Sequence, residues 1–258
     1  MLSVVLATYN EEKNIAKCLE SVKDLADEII VVDGNSSDKT IEIAAGLGAE
    51  IFSTTNKQNF HINKQIAMDK AHKNLVLQLD ADEIVDEDLK KFIRQVLAKI
   101  KNKEVLEESA WWIKRRNFFC GKFLSKGGQY PDPVIRLYIR GKAYLPAQDV
   151  HEQMQVDGKI GNAEGHLLHY SNPTFEDYLR KFATYTSFKA KQLKDENLPI
   201  NFFTFFDHVI WKTIKTFFLI YFRHKGFVDG WQGFVFALFS ALHHPISYLK
   251  FLEAKNAN

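Results

Sequence analysis

Short apolar runs alternate with segments of helical periodicity through the first hundred residues. The apolar runs predict buried strands at residues 2–7, 28–33, 49–52 and 75–80. Apolar side chains spaced three and four apart predict helices that start near residue 12 and then span 41–47, 63–73 and 86–101. Strands that alternate with helices of this length are typical of βαβ units. We therefore predict an α/β fold with a doubly wound, mostly parallel sheet.

The pattern changes after about residue 105. Further strands are predicted at residues 110–115, 134–139 and 167–170. From Thr174 onward the sequence predicts helices to the end of the chain. We therefore divide the chain into an α/β domain of residues 1–170, split at 105, and a helical C-terminal extension of residues 171–258.

Composition narrows the class of protein. The chain has 258 residues and is 46% apolar, which is enough to bury one good core. A net charge of +2 argues against nucleic acid as a partner, since phosphate backbones are bound by strongly basic surfaces. Two cysteines, Cys18 and Cys120, provide no disulfide framework and fit a reducing cytoplasm. No basic segment precedes the first strand, so we expect no signal peptide.

Polar side chains end three of the predicted strands. Residues 8–10, Asp33 and the pair Asp80 and Asp82 each follow an apolar run. The carboxyl ends of parallel strands share one edge of a sheet, where ligands of open α/β folds bind. Residues two apart in an extended segment point the same way, so Asp80 and Asp82 could face one Mg²⁺ or Mn²⁺ that bridges phosphates. The alternative is an acidic junction between strand and helix, with Asp86 as a helix cap.

Asp33 also has two interpretations. It could accept a hydrogen bond from a uracil ring N–H while the backbone of residues 8–10 contacts the carbonyls of the base. It could instead be a turn residue of the Asp-Gly-Asn sequence, where Asp and Asn are favoured.

Three motifs in the first hundred residues resemble those of the family 2 glycosyltransferases. They are residues 3–11 (SVVLATYNE), 30–40 (IVVDGNSSDKT) and 79–83 (LDADE), in the order and spacing of that family. Members are inverting enzymes with a GT-A fold that use nucleotide-diphosphate sugars. The resemblance implies a GT-A type domain that binds a nucleotide sugar with residues 1–105 and an acceptor with residues 106–170.

The resemblance also implies roles for single residues. It places a uridine nucleotide against Thr8, Tyr9, Asn10, Glu11 and Asp33. Asp80 would lie near the ribose, and Asp82 would bind the metal. Lys64 stands where the family often has a basic residue near the diphosphate, although a solvent-facing helix lysine is an equally good interpretation.

The second half resembles a narrower group, the bacterial enzymes that add a β-linked glucose to the lipopolysaccharide inner core. The matching motifs are residues 130–132 (YPD), 136–138 (RLY), 150–152 (VHE) and 226–233 (GFVDGWQG). The resemblance implies transfer of a hexose from a UDP-sugar to a lipopolysaccharide-core acceptor, with Mn²⁺ or Mg²⁺ as cofactor. The alternatives are another lipid-linked or polysaccharide acceptor, or a non-catalytic copy that binds nucleotide sugar or glycan.

Catalytic groups are expected around residues 149–152. His151 resembles the family's late metal ligand, and Glu152 occupies the place of its catalytic carboxylate. Adjacent side chains of a strand point to opposite sides, so this pair must sit on a loop or bend. Asp149 and Asp132 are therefore rival bases. Arg136 could bind a phosphate of the nucleotide or of the acceptor, or it could be a solvated strand end.

An aromatic, basic stripe marks the C-terminal extension. Apolar residues at helical spacing are Phe202, Phe205, Phe206, Val209, Ile210, Ile214, Phe217, Phe218 and Tyr221. Such a helix predicts in-plane attachment to a membrane, here at the cytoplasmic face of the inner membrane. The alternative is a helical hairpin that packs on the enzyme body or on a second subunit, giving a homo-oligomer. Residues 231–249 are not predicted to span a membrane.

Overall fold

The computed structural model describes residues 1–57, 59–146 and 153–256. Within it the chain divides into two compact units. They comprise Met1–Arg115 with Pro133–His169, and Arg116–Asp132 with Tyr170–Asn258. Asp149, His151 and Glu152 lie outside the described residues, so what the sequence indicates for these three stays a prediction.

The strands of the described chain are named in chain order. They are β1 (Leu2–Thr8), β2 (Glu28–Asp33), β3 (Glu50–Ser53), β4 (Leu75–Leu79), β5 (Glu83–Val85), β6 (Glu108–Phe119), β7 (Lys122–Phe123), β8 (Asp132–Ile139), β9 (Ala143–Tyr144), β10 (Gln155–Val156) and β11 (Lys159–Asn172). The sheet of the first unit has the order β3-β2-β1-β4-β8-β6-β11-β5. β3, β2, β1 and β4 run parallel to one another, whereas β8 is antiparallel to β4 and β5 is antiparallel to β11. The predicted α/β sheet is confirmed, and it is mixed rather than parallel throughout.

The central strands bury side chains on both faces of the sheet. Leu2, Val4 and Leu6 of β1 join one apolar cluster, while Val5 joins the other. β2 and β4 alternate in the same way between the two clusters. Because both faces are covered, these strands have nearly continuous apolar sequences, which is what made them predictable.

The α-helices of the described chain are also named in order. They are α1 (Ile15–Glu20), α2 (Thr40–Gly46), α3 (Phe60–Asp69), α4 (Glu87–Lys101), α5 (Phe175–Asp195), α6 (Phe202–Phe205), α7 (Lys212–Phe218) and α8 (Gly230–Asn256). Cys18 of α1 and Ile93 of α4 pack in the first cluster, and Met68 of α3 packs in the second. Asp86 caps α4, as the alternative interpretation of the acidic junction had it, since its carboxylate accepts a hydrogen bond from the Leu89 N–H at 2.8 Å.

The second unit is mostly helical. α5 and α8 share a small core that includes Leu193, Tyr248 and Phe251. Helix α6 passes into π-helical turns at Phe206–Trp211, and α7 passes into further π-helical turns at Leu219–Arg223. Among the described residues, no helix combines the length and the apolar content that crossing a bilayer requires.

One local prediction is wrong. Asp80 and Asp82 were expected on an extended segment that points both carboxylates the same way. The chain instead turns directly after β4, and the Glu83 N–H donates to the Asp80 carbonyl at 3.0 Å. The turn gives the two carboxylates different neighbours.

Candidate active site

Hydrogen bonds join the loops that follow β1 and β2. The two strands pair in register, with Thr8 opposite Asp33 at their carboxyl ends. The Asn10 N–H donates to the Ser36 hydroxyl at 2.8 Å, and the Ser37 N–H donates to the Asn10 side-chain oxygen at 2.9 Å. The structure therefore brings together the residues predicted to bind the nucleoside, which are Thr8, Tyr9, Asn10, Glu11 and Asp33.

Asp33 organises the turn at the end of β2. Its fully buried carboxylate accepts hydrogen bonds from Thr8 Oγ1 at 3.0 Å, from the Ser36 N–H at 2.7 Å and from Ser36 Oγ at 2.6 Å. This is the turn role that the sequence allowed as an alternative. Tyr9, by contrast, is 46% exposed and presents an aromatic ring at the same sheet edge.

Asp80 follows β4 and contacts two cations. Lys64 Nζ of α3 lies 2.5 Å from Asp80 Oδ1, and Arg136 Nη2 of β8 lies 2.5 Å from Asp80 Oδ2. Burial alone would raise the pKa of the Asp80 carboxyl, but the charges of Arg136 and Lys64 outweigh it and hold that pKa well below its usual value. Asp80, Lys64 and Arg136 thus form one ion-pair cluster, whereas the sequence predicted separate contacts for them.

Glu83 fixes the turn that carries both aspartates. Its side chain is fully buried, and its Oε2 accepts a hydrogen bond from the Asp80 N–H at 3.0 Å. Its Oε1 accepts hydrogen bonds from Arg136 Nη2 at 3.3 Å and from Arg115 Nη1 at 3.4 Å. Burial alone would lower the pKa of Arg136, but the charges of Asp80 and Glu83 raise it above its usual value. The turn is therefore held by charges on buried side chains.

Asp82 lies on the same turn beside a histidine of β11. Its Oδ2 is 3.5 Å from His169 Nε2, and both side chains are mostly buried. The antiparallel pairing of β5 with β11 sets this distance, because His169 is in register with Glu83. One carboxylate and one imidazole fit Mn²⁺, and they leave coordination positions for phosphate oxygens and water. No group of three or more His, Cys, Asp or Glu side chains within the described ranges is arranged to hold a metal ion.

Two other predicted residues have structural partners. Asp132 begins β8 in the second unit and accepts a hydrogen bond from Asn117 Nδ2 at 3.0 Å. Cys18 is buried in the first core cluster, as predicted, and burial raises the pKa of its thiol well above the usual value. The Cys18 thiol is therefore a packing group rather than a nucleophile.

Sequence reasoning assigned no role to Glu83 or His169. Glu83 belongs to the quoted LDADE motif, and its complete burial was the missing information. His169 ends a strand that was predicted at 167–170, and only the register with β5 places it beside Asp82.

Comparison with known proteins identifies the family of this chain. Residues 3–106 match the family described as Glycosyl transferase family 2. An uncharacterised glycosyltransferase of Rickettsia typhi (strain ATCC VR-144 / Wilmington) is 30% identical over 261 residues, which cover 98% of this chain and 87% of the relative. The chain belongs to the family 2 glycosyltransferases. The predicted family, GT-A fold and enzyme class are thereby confirmed.

Two further similarities concern proteins with more descriptive names. The lipopolysaccharide core biosynthesis glycosyltransferase LpsC of Rhizobium meliloti (strain 1021) is 29% identical to this glycosyltransferase over 258 residues, covering 93% of this chain and 90% of LpsC. Glucosyl-3-phosphoglycerate synthase from Mycobacterium tuberculosis, crystallised with Mn²⁺, uridine diphosphate and glucosyl-3-phosphoglycerate, is 19% identical with a TM-score of 0.45. That match covers 78% of this chain and 81% of the synthase.

Proposed function

We propose that this glycosyltransferase transfers a hexose, specifically glucose, from a UDP-sugar to a lipopolysaccharide-core acceptor, with inversion and with a divalent cation. One observation carries the proposal. The loops after β1 and β2 and the acidic turn after β4 meet at the carboxyl edge of neighbouring parallel strands. Ligands bind at this edge in open α/β sheets. The similarity to LpsC over nearly the whole chain supports the class of acceptor.

The nucleoside would lie over the joined loops. The exposed Tyr9 ring offers a stacking surface to the base. The Asn10 and Glu11 N–H groups hold the loop in place instead, since they donate to Ser36 Oγ at 2.8 Å and Thr40 Oγ1 at 2.7 Å. Lys64 would stand near the diphosphate, where it can exchange its Asp80 carboxylate partner for a phosphate oxygen.

Asp82 and His169 would hold the divalent cation, together with the His151 that the family resemblance implies. When bound, the cation neutralises charge on the departing diphosphate. Glu152 would take the proton of the acceptor hydroxyl, with Asp149 and Asp132 as rivals for that role. A lipid-linked acceptor would place the enzyme at the cytoplasmic face of the inner membrane.

Release of UDP from a panel of UDP-sugars tests the proposal most directly. We expect release with UDP-glucose and Mn²⁺, loss of release with chelator, and faster release when lipopolysaccharide-core acceptor is added. Binding of UDP without turnover on any donor would indicate a non-catalytic copy. Turnover that responds only to another glycan would keep the enzyme class and change the acceptor.

We predict that UDP and Mn²⁺ strengthen each other's binding, because diphosphate oxygens complete the coordination of the cation. Titration calorimetry should show UDP affinity falling with chelator, and the Asp82→Ala and His169→Ala variants should lose this metal dependence. His166→Ala is the matched control, since His166 lies on the same strand but contacts Asp86 at 3.0 Å. Equal UDP binding with and without Mn²⁺ in the unmodified protein would show that the metal assignment is wrong.

A further inference from the structure

Six apolar side chains form a regular exposed row on the helical segment of residues 202–222. They are spaced four residues apart and are Phe202, Phe206, Ile210, Ile214, Phe218 and Phe222. All six are exposed, from 40% for Ile210 to 72% for Phe202. The opposite side of this segment is covered, because His208 is buried and stacks on Tyr248 of α8 with ring centroids 5.3 Å apart. We call these six side chains the exposed row.

The π-helical turns explain why the row stays on one side. In an α-helix each four-residue step overshoots a full turn by about 40°, so five steps would rotate the row by about 200°. A π turn closes with i→i+5 hydrogen bonds and is wider, so a four-residue step falls short of a full turn there. The segment alternates α-helical with π-helical turns, at Phe206–Trp211 and Leu219–Arg223. The two deviations have opposite signs, so the π-helical turns limit the rotation of the row, and all six side chains are exposed.

The row continues onto the next segment of the chain. The half-buried Tyr221 ring lies 5.1 Å from Phe222, 6.2 Å from Phe227 and 5.7 Å from Phe234, measured between ring centroids. Further exposed apolar residues of the same stretch of sequence are Phe203, Trp211, Phe227, Val228, Trp231 and Phe234. Together with the exposed row they form what we call the apolar patch. Soluble monomers rarely expose a large apolar surface without a binding role.

The charges around the patch are positive. Lys215, Arg223 and Lys225 are exposed beside it. The acidic residues between positions 200 and 235 are Asp207 and Asp229. Asp207 pairs with Lys212 at 2.7 Å. Asp229 is buried and accepts hydrogen bonds from the N–H groups of Ser125 at 2.9 Å and Lys126 at 2.8 Å. The charge that residues 200–235 leave at the surface is therefore cationic.

We propose that the apolar patch is an in-plane docking surface for an anionic lipid bilayer. A row of exposed aromatic and aliphatic side chains with nearby exposed tryptophans and cations matches the boundary between headgroups and acyl chains. Anionic headgroups would neutralise Lys215, Arg223 and Lys225. A two-fold pair of identical patches would instead bring the cations of both copies to one interface, where they repel. The inference deepens the proposed function, because a lipid-linked acceptor lies in such a surface, but docking itself needs no turnover.

Co-sedimentation of the full chain with vesicles tests the docking surface. Vesicles containing phosphatidylglycerol should bind the protein, whereas phosphatidylcholine vesicles should bind it more weakly. The Phe206→Ser, Ile214→Ser and Phe222→Ser triple variant should lose about a hundredfold in partitioning, since each apolar side chain contributes to burial in the bilayer. Its helical content and its UDP release from a soluble donor should not change.

A matched control removes apolar side chains elsewhere in the second unit. Tyr185, Phe188 and Leu249 are each more than half exposed and lie outside the patch. Their replacement by serine should leave vesicle binding within about twofold of the unmodified protein, because none of the three belongs to the patch. Reversal of charge at Lys215, Arg223 and Lys225 to Glu should weaken binding to anionic vesicles and remove its dependence on salt.

Several outcomes would overturn the docking surface. One is unchanged vesicle binding by the triple variant of Phe206, Ile214 and Phe222, which we call the row variant. A dimer that the row variant converts to a monomer, without vesicle binding, would make the patch an interface between copies. If the row variant does not fold, the charge-reversal variant decides, and undiminished vesicle binding by it rejects the proposal. Vesicle binding without UDP release would instead remove the proposed function and leave the docking surface standing.

Discussion

The Arg136→Met variant should lose about 3 kcal/mol of the free energy of unfolding, at the lower end of the range for breaking a buried ion pair. Arg136 contacts Asp80 at 2.5 Å and Glu83 at 3.3 Å, and Glu83 is fully buried. Methionine fills similar volume but leaves both carboxylates short of a counter-charge. The expected loss of unfolding free energy stays near the lower end of that range because Lys64 still contacts Asp80 and Arg115 still contacts Glu83.

Urea unfolding measures this loss, and two further variants show its cause. Arg140→Met changes an exposed arginine next to β8 and should alter stability by less than about 0.5 kcal/mol. Combining Arg136→Met with Asp80→Asn should restore part of the lost stability, since one of the two carboxylates that lost a counter-charge is then neutral. If Arg136→Met unfolds at the same urea concentration as the unmodified protein, the cluster does not stabilise the turn.

The strands of the parallel region were predictable because burial on both faces leaves continuous apolar sequences. The predicted strand at residues 28–33 coincides with β2, and the one at 75–80 differs from β4 by one residue. β5, β7, β9 and β10 have only two or three residues, which is too short for any period to emerge. β5 also depends on a pairing partner distant in sequence, because Ile84 pairs with Leu168 of β11.

The partners of the acidic residues could not be predicted in the same way. Propensity places Asp80 at a strand end, but its contact with Arg136 joins positions 56 residues apart. The turn at residues 80–83 depends on burial of the Glu83 carboxylate, which is favourable only because Arg115 and Arg136 reach it. Sequence patterns record which side chains are polar, whereas tertiary structure decides which of them meet.

The C-terminal segment shows a subtler limit. The sequence predicted a stripe at α-helical spacing, which includes Phe205, Val209 and Phe217. Phe205 is exposed, while Val209 and Phe217 are half-buried. The exposed row instead follows a four-residue spacing, since π-helical turns widen the helix at two places. Such turns are rare and cannot be recognised from apolar periodicity alone.

Glu152→Gln should reduce turnover by about 10²–10⁴-fold, the usual contribution of a general base. The substitution keeps the size and shape of the side chain but removes the carboxylate that we propose as the acceptor of the proton. UDP and Mn²⁺ affinities should barely change, because neither depends on that proton transfer. His151→Ala should behave differently, with metal affinity and turnover falling together. Steady-state kinetics at saturating UDP-sugar measures turnover, and calorimetry measures the affinities for UDP and Mn²⁺. Together they separate loss of the base from loss of metal binding.

The rival bases are tested by matched variants. Asp132→Asn should lower turnover less than Glu152→Gln, because the Asp132 carboxylate already accepts a hydrogen bond from Asn117 at 3.0 Å. Asp149 lies three positions before Glu152. The Asp149→Asn variant therefore also shows what loss of a negative charge in that segment does to turnover. Near-normal turnover in Glu152→Gln together with a large loss in either aspartate variant would assign the base to that aspartate. The family and the fold would be unaffected, since neither depends on which carboxylate is the base.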